Sequence, residues 1–191
     1  MTTTWIVIIV VVVVVLLAAG VLLLPRVRSR RLQQQFGPEY ERTVRATGDR
    51  REAERDLAGR AEERKELEIR PLDPGARNAY AQRWRLVQER FVDSPMQAVG
   101  DADILVEEVT RERGYPVGDF HQQARVVSVD HADVVSEYHA AHEISLLSGR
   151  GDASTEQLRE AMVHYRTLFS QLLDGGDSAA GRQGDRNQPA Q

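Results

Sequence analysis

The chain opens with an apolar run that is long enough to cross a lipid bilayer. Residues 5–24, WIVIIVVVVVVLLAAGVLLL, contain no charged side chain. At about 1.5 Å per residue, a helix of this length spans about 30 Å, which matches the hydrocarbon core of a bilayer. A helix also satisfies its own backbone hydrogen bonds in lipid, so the valine-rich composition is compatible with a spanning helix. The pattern predicts one N-terminal transmembrane helix over residues 5–24.

The flanks of this run favour a permanent anchor over a cleaved export signal. A signal peptide carries basic residues before an apolar core of about 7–15 residues, and a small-residue cleavage site after it. Here residues 1–4 carry no charged side chain and the core is longer. Four arginines follow the run, and the positive-inside rule then predicts a single-pass inner-membrane protein with residues 1–4 outside and its C-terminal domain in the cytoplasm. The arginines predicted to set this topology and to contact lipid headgroups are Arg26, Arg28, Arg30 and Arg31.

Composition excludes several classes of site and partner. The 191 residues include no cysteine, which excludes disulfides and thiolate metal ligands. Residues 71–173 contain 16 acidic and 10 basic side chains. Such an acidic segment repels nucleic acid, so we predict no nucleic-acid partner. The sequence contains no GxGxxG motif, P-loop or GxSxG motif, and we predict no catalytic residue and no cofactor.

The segment after the membrane is predicted to be a basic collar and a charged helical stalk over residues 25–70. Phe36-Gly37-Pro38 predicts a break between the membrane helix and the stalk, because proline cannot continue a helix but can start one. Pairs such as Glu41–Arg45 support a solvated helix. No apolar heptad persists over three repeats, so the stalk resembles a coiled coil without forming a stable one.

Residues 71–173 are predicted to form an all-α, five-helix, bundle-like domain. Apolar residues recur there at spacings of three and four, and Leu158, Met162, Tyr165, Phe169 and Leu172 give the clearest stripe. Residues 125–129 are too short to predict a strand, and residues 174–191 are polar enough to predict a disordered tail. The residues predicted to cap or open the five helices are Asp73, Ser94, Asp119, Asp130, and Ser154 or Thr155.

One stretch, EYHAAHE, offers candidate metal ligands. His139 and His142 lie one helical turn apart, and Glu143 follows His139 by four residues. Two imidazoles and a carboxylate can hold a divalent metal. The order HxxHE is not the HExxH of zinc proteases, and a further ligand has to come from another helix, for instance His164 or His121. The alternative interpretation is that both rings border the apolar stripe and are half buried; we favour it and predict no metal site.

The loop YPVGDF, residues 115–120, also has two interpretations. Gly118 and Asp119 can contact a ligand. Alternatively, Gly118 forms a tight turn, Asp119 caps the next helix, and Tyr115 and Phe120 close the core. We favour the structural interpretation because it explains why glycine, aspartate and the two aromatic residues occur at these positions.

Five fragments resemble a family of membrane proteins from high-GC actinobacteria that has no assigned function. They are LEIRPLDP (67–74), RFVDSP (90–95), RGYPVGDF (113–120), SVDHADVV (128–135) and AMVHYRTLF (161–169). The resemblance spans residues 1–173 and implies one N-terminal transmembrane helix, but it brings no catalytic residues. Where that family has proline and arginine, this chain has Ala132 and His139. This departure weakens the metal interpretation.

The sequence therefore predicts a membrane-anchored helical protein that acts as a protein-interaction or structural module at the cytoplasmic face. The first alternative is a metal-dependent enzyme that uses the HxxHE motif. The second is a lipid-sensing device in which the basic collar controls the stalk. The sequence leaves the protein partner, any ligand and the oligomeric state open.

Overall fold

The computed structural model of the chain describes residues 27–174, and all regular secondary structure in this range is helical. No helix between residues 27 and 174 combines the length and the apolar character needed to cross a bilayer. The predicted span 5–24, Arg26 and residues 175–191 lie outside the described residues. The helices are α1 (27–47), α2 (Arg50–Glu66), α3 (Pro74–Asp93), α4 (Pro95–Glu112), α5 (Phe120–Asp130), α6 (Val135–Arg150) and α7 (Thr155–Asp174).

The chain divides into two compact units, Met1–Ala58 and Gly59–Gln191, and the division falls inside α2. In the first unit, the carboxylate of Glu54 connects α1 to α2. Glu54 accepts hydrogen bonds from Ser29 at 2.5 Å, Tyr40 at 2.8 Å and Arg50 at 3.0 Å. Burial raises the pKa of Glu54, but these three hydrogen bonds outweigh it, so the pKa lies below its usual value.

The break expected at residues 36–38 does not end a helix. α1 continues through Gly37, although that residue has a left-handed φ of +44°. A second glycine, Gly48, has φ +71° and separates α1 from α2. The charged segment therefore contains two helices that meet at Gly48, where glycine adopts the left-handed φ without strain.

In the second unit, most helices begin where the capping residues predict. Asp73 accepts hydrogen bonds from the amides of Gly75 and Ala76, with Pro74 in the first turn of α3. Asp119 accepts from the first amides of α5. Ser154 and Gln157 form a reciprocal capping box before α7: the Ser154 amide donates to the Gln157 side chain at 2.9 Å, and the Gln157 amide donates to Ser154 Oγ at 3.3 Å. Each cap contributes about 1 kcal/mol.

One predicted helix start is wrong. Asp130 ends α5 and does not open α6, which begins at Val135 after a short turn. The Asp130 carboxylate accepts hydrogen bonds from Arg64 at 2.5 Å and Tyr115 at 2.8 Å. It therefore ties the end of α2 and the α4–α5 loop to α5, and it is not available to cap a helix.

The core of this unit lies around α4, whose inner face is almost fully buried. Leu105 is 1% exposed, and Val99, Val106 and Val109 are completely buried. Across the core, the rings of Trp84 on α3 and Phe169 on α7 stack with centroids 4.7 Å apart. Such a stack contributes about 0.5–1.5 kcal/mol beyond the burial of its area. Helices α3, α6 and α7 all pack against α4.

A buried arginine closes one end of this core. Arg113 is only 5% exposed and donates hydrogen bonds to the backbone oxygens of Leu172 at 3.2 Å and Arg70 at 3.4 Å. The Leu172 oxygen belongs to the last turn of α7, where carbonyls lack helical partners and the helix dipole favours a cation. Arg113 therefore connects the end of α4 to the end of α7 and to the segment before α3.

Gly114 allows the segment before α3 to approach α4 closely. Its φ is +95°, and a Cβ at this position would lie 2.6 Å from the backbone oxygen of Glu68. We predict that Gly114→Ala lowers the free energy of unfolding by about 2 kcal/mol, because the left-handed conformation and the clash both penalise a side chain. Urea denaturation of the full-length protein measures this change.

The matched control is Gly149→Ala in α6, where no atom lies within 4 Å of the added Cβ. This variant should be neutral or gain up to about 1 kcal/mol, since alanine is the better helix former. Equal stability of the two variants would contradict the close approach at Gly114.

Candidate functional site

Two surface features of the second unit are candidates for function, and both are built on α4. The first is a small polar cleft of about 130 Å³, which lies where the α4–α5 loop meets α4 and α6. The second is a groove of about 220 Å³ between α3 and α4. We call them the polar cleft and the α3–α4 groove. The polar cleft is lined by Asp103, Glu107, Gly118, Asp119, Phe120, Gln123, Tyr138 and His142.

Asp103 is the centre of the polar cleft. Its carboxylate accepts a hydrogen bond from Tyr165 at 2.7 Å and lies 3.4 Å from His142 Nδ1 and 3.5 Å from Ser145 Oγ. Burial, followed by the Asp103 charge, raises the pKa of Tyr165 far above its usual value. The phenol therefore stays protonated and remains a hydrogen-bond donor.

A second chain of hydrogen bonds forms the floor of the cleft. Tyr138 donates to Gln123 Oε1 at 2.7 Å, and Gln123 Nε2 donates to Thr110 at 2.8 Å and to the backbone of Pro116 at 3.1 Å. Burial raises the pKa of Tyr138 as well. Because these buried groups satisfy one another, they fix the YPVGDF loop and α6 against α4.

The structure brings the candidate histidines to one aromatic ring. His142 stacks on Phe120 with centroids 3.7 Å apart, and His139 meets the same ring edge-on at 5.3 Å. His121, a candidate further ligand, also lies edge-on to Phe120, at 5.6 Å. These three rings therefore lie against Phe120, a partly buried side chain that packs on the core, and His139 and His142 are themselves half buried.

The remaining members of the predicted metal site point elsewhere. Glu143 is exposed, and His164 contacts Glu137 and lies 3.6 Å from Glu160. Within residues 27–174, no group of three or more imidazole and carboxylate side chains is placed to hold a metal ion. Ser145 donates to Asp103 and not to His142, so a nucleophile–imidazole–carboxylate sequence is not formed. The metal-dependent enzyme thus remains a hypothesis drawn from the sequence.

The YPVGDF loop follows its structural interpretation. Tyr115 is 3% exposed, Gly118 has φ +113°, and Asp119 caps α5. Gly118 and Asp119 also line the polar cleft, so the ligand interpretation remains open at the same residues.

The α3–α4 groove was not expected from the sequence. Val87 and Leu105 are buried in its lining, whereas Leu86 and Ile104 are 61% and 54% exposed at its sides. Two ion pairs cross it: Arg83 with Glu108, and Arg90 with Asp101. The hydrogen bond from Arg83 lowers the pKa of Glu108. The charge pattern of the groove is visible in the sequence. α3 and α4 each have a charged, an aliphatic and a charged residue at spacings of three and four.

The predicted basic collar is partly described. Arg28, Arg30 and Arg31 are exposed on α1, whereas Ser29 and Leu32 between them are buried. These three arginines therefore lie on the solvated side of α1.

Comparison with family models, with curated proteins and with solved structures gives no match. The resemblance to actinobacterial membrane proteins therefore stays a prediction from the five sequence fragments.

His131 predicts a pH dependence of stability. Burial, followed by the nearby Arg113 charge, lowers its pKa below the usual value, although Gln171, Asp130 and Asp133 oppose this shift. The unfolded chain therefore takes up a proton first as the pH falls. We predict that stability is full above the usual histidine pKa of about 6.5 and declines below it, by up to about 1.4 kcal/mol per pH unit.

Urea denaturation of the full-length protein between pH 7.5 and 5 tests this expectation. His131→Gln should flatten the decline, whereas His121→Gln, which alters an exposed histidine, should leave it unchanged. A decline of the same slope in both variants would show that His131 is not its source.

Proposed function

We propose that this protein is a single-pass membrane protein that holds a helical protein-interaction module at the cytoplasmic face. Support for the anchor comes from the uncharged run 5–24 and the arginines that follow it. Support for the module comes from the α3–α4 groove. The basic collar and the two charged helices α1 and α2 provide the connection between them.

One observation supports the interaction role: Leu86 and Ile104 are exposed side by side, next to the buried Val87 and Leu105. Scattered exposed aliphatic residues are ordinary on protein surfaces. Here the two flank a groove whose lining includes the buried Val87 and Leu105, and Arg83 and Arg90 border it with their charge partners. An apolar centre with a charged rim is the usual anatomy of a protein interface.

The polar cleft supports an enzymatic role less well. Its buried hydroxyl, amide and carboxylate groups already pair with one another, as in the contacts of Tyr165 with Asp103 and of Tyr138 with Gln123. Such a network specifies how helices pack. We therefore assign the polar cleft a structural role.

The proposed topology predicts which end of the chain is accessible outside the cell. The chain has no cysteine of its own, so Thr2→Cys and Gln191→Cys each introduce a single thiol. We expect a membrane-impermeant maleimide to label Thr2→Cys in intact cells and Gln191→Cys only after permeabilisation, because the positive-inside rule keeps the arginines in the cytoplasm. Labelling of Gln191→Cys in intact cells would refute the proposed orientation.

The interaction role predicts a position-specific crosslink. A benzoylphenylalanine at position 86 should crosslink the full-length protein to another polypeptide in native membranes upon irradiation. The matched control places the same group at Val163 on α7, which is 58% exposed but lies outside the groove. Equal crosslinking from positions 86 and 163 would argue against the groove as an interface.

A further inference from the structure

The two helices that form the α3–α4 groove carry opposite charges in matching positions. The exposed row of α3 is basic at both ends, and the neighbouring row of α4 has a half-buried carboxylate at each end. Each row has one aliphatic residue at its centre. The face as a whole is electrically balanced, because its two arginines match its two carboxylates. The rows are Arg83, Leu86 and Arg90 on α3, and Asp101, Ile104 and Glu108 on α4.

From this pattern we propose that the occupant of the groove is a second copy of the same chain. A face with a basic row beside an acidic row is complementary to itself when two copies meet with opposite rows in contact. Two-fold contacts of this kind, in which the same patch serves both subunits, are the commonest in homo-oligomers.

The charge pattern also selects the orientation of the two copies. Because Arg83 pairs with Glu108 and Arg90 with Asp101, α3 and α4 run antiparallel with their charges level. A two-fold axis parallel to the helices places the α3 row of each copy opposite the α4 row of the other. Arginines then face carboxylates at both ends, and Leu86 faces Ile104 of the second copy. An axis across the helices would instead place α3 on α3 and set arginine against arginine, which is unfavourable.

This contact depends on the proposed membrane anchor for its strength. Two exposed aliphatic side chains and four charged ones form a small patch, whereas a standard interface buries about 800 Å² per partner. Confining both copies to one membrane raises their effective concentration and compensates for a small interface.

Disulfide crosslinking of full-length chains in membranes tests the arrangement. Two differently tagged copies are expressed together, one with Leu86→Cys and one with Ile104→Cys, and then oxidised. We expect the mixed pair to form disulfide dimers about tenfold more readily than Leu86→Cys paired with itself. The matched control replaces Ile104→Cys with Val163→Cys and should give background dimers only. Preferential crosslinking of Leu86→Cys with itself, or no dimer above the control, would overturn the proposal.

A charge exchange provides the second variant. The quadruple substitution Arg83→Glu, Arg90→Asp, Asp101→Arg and Glu108→Arg keeps both ion pairs within each copy, so the fold is preserved. Exchanged copies should crosslink with each other as wild-type copies do. An exchanged copy and a wild-type copy should crosslink about tenfold less, because like charges then face each other. Equal crosslinking in all three combinations would overturn the proposal.

The outcomes separate this inference from the proposed function. If position 86 photocrosslinks to a different polypeptide and the mixed cysteine pair gives no dimer, the interaction role stands and the self-association fails. If position 86 gives no specific product at all, both fail.

Discussion

The burial of α4 is the constraint on which the rest of the second unit depends. Helices α3, α6 and α7 pack against it, and its Val99, Val106 and Val109 are completely buried. Because one face of α4 is buried in the core, the residues on either side of that face are held next to fixed neighbours. One flank places Asp103 in the polar cleft, and the other places Ile104 beside α3. Consecutive residues of a single helix therefore belong to the two candidate surfaces, and the helix holds both in register with the core.

Polar contacts inside the unit define how its helices are oriented. Hydrophobic burial supplies most of the driving force for folding but is not directional. Direction comes from groups such as Asp103, which accepts the Tyr165 hydroxyl, and Arg113, which binds the last turn of α7. A buried arginine or carboxylate is costly unless its partners are in place, so alternative packings of the same helices are disfavoured.

Local signals in the sequence predicted the fold far better than they predicted the surfaces. The caps at Asp73 and Asp119 and the Ser154–Gln157 box act within one helical turn, so sequence spacing alone identifies them. Asp130 has the same local pattern, but it pairs with Arg64, which lies 66 residues away. Contacts of that range cannot be inferred from one sequence. The α3–α4 groove was missed for the same reason: each charged row is visible, but the level pairing of the rows depends on how the helices pack.

Amide hydrogen exchange of the full-length protein tests most directly whether α4 is the rigid centre on which both surfaces depend. Amides that open only through global unfolding exchange slowest, and those that open locally exchange faster. We predict that amides 102–109 of α4 are among the most protected and exchange at the rate set by global unfolding. Exchange of these amides by local opening, as fast as at the ends of α3, would contradict it, because both surfaces would then lack a fixed support.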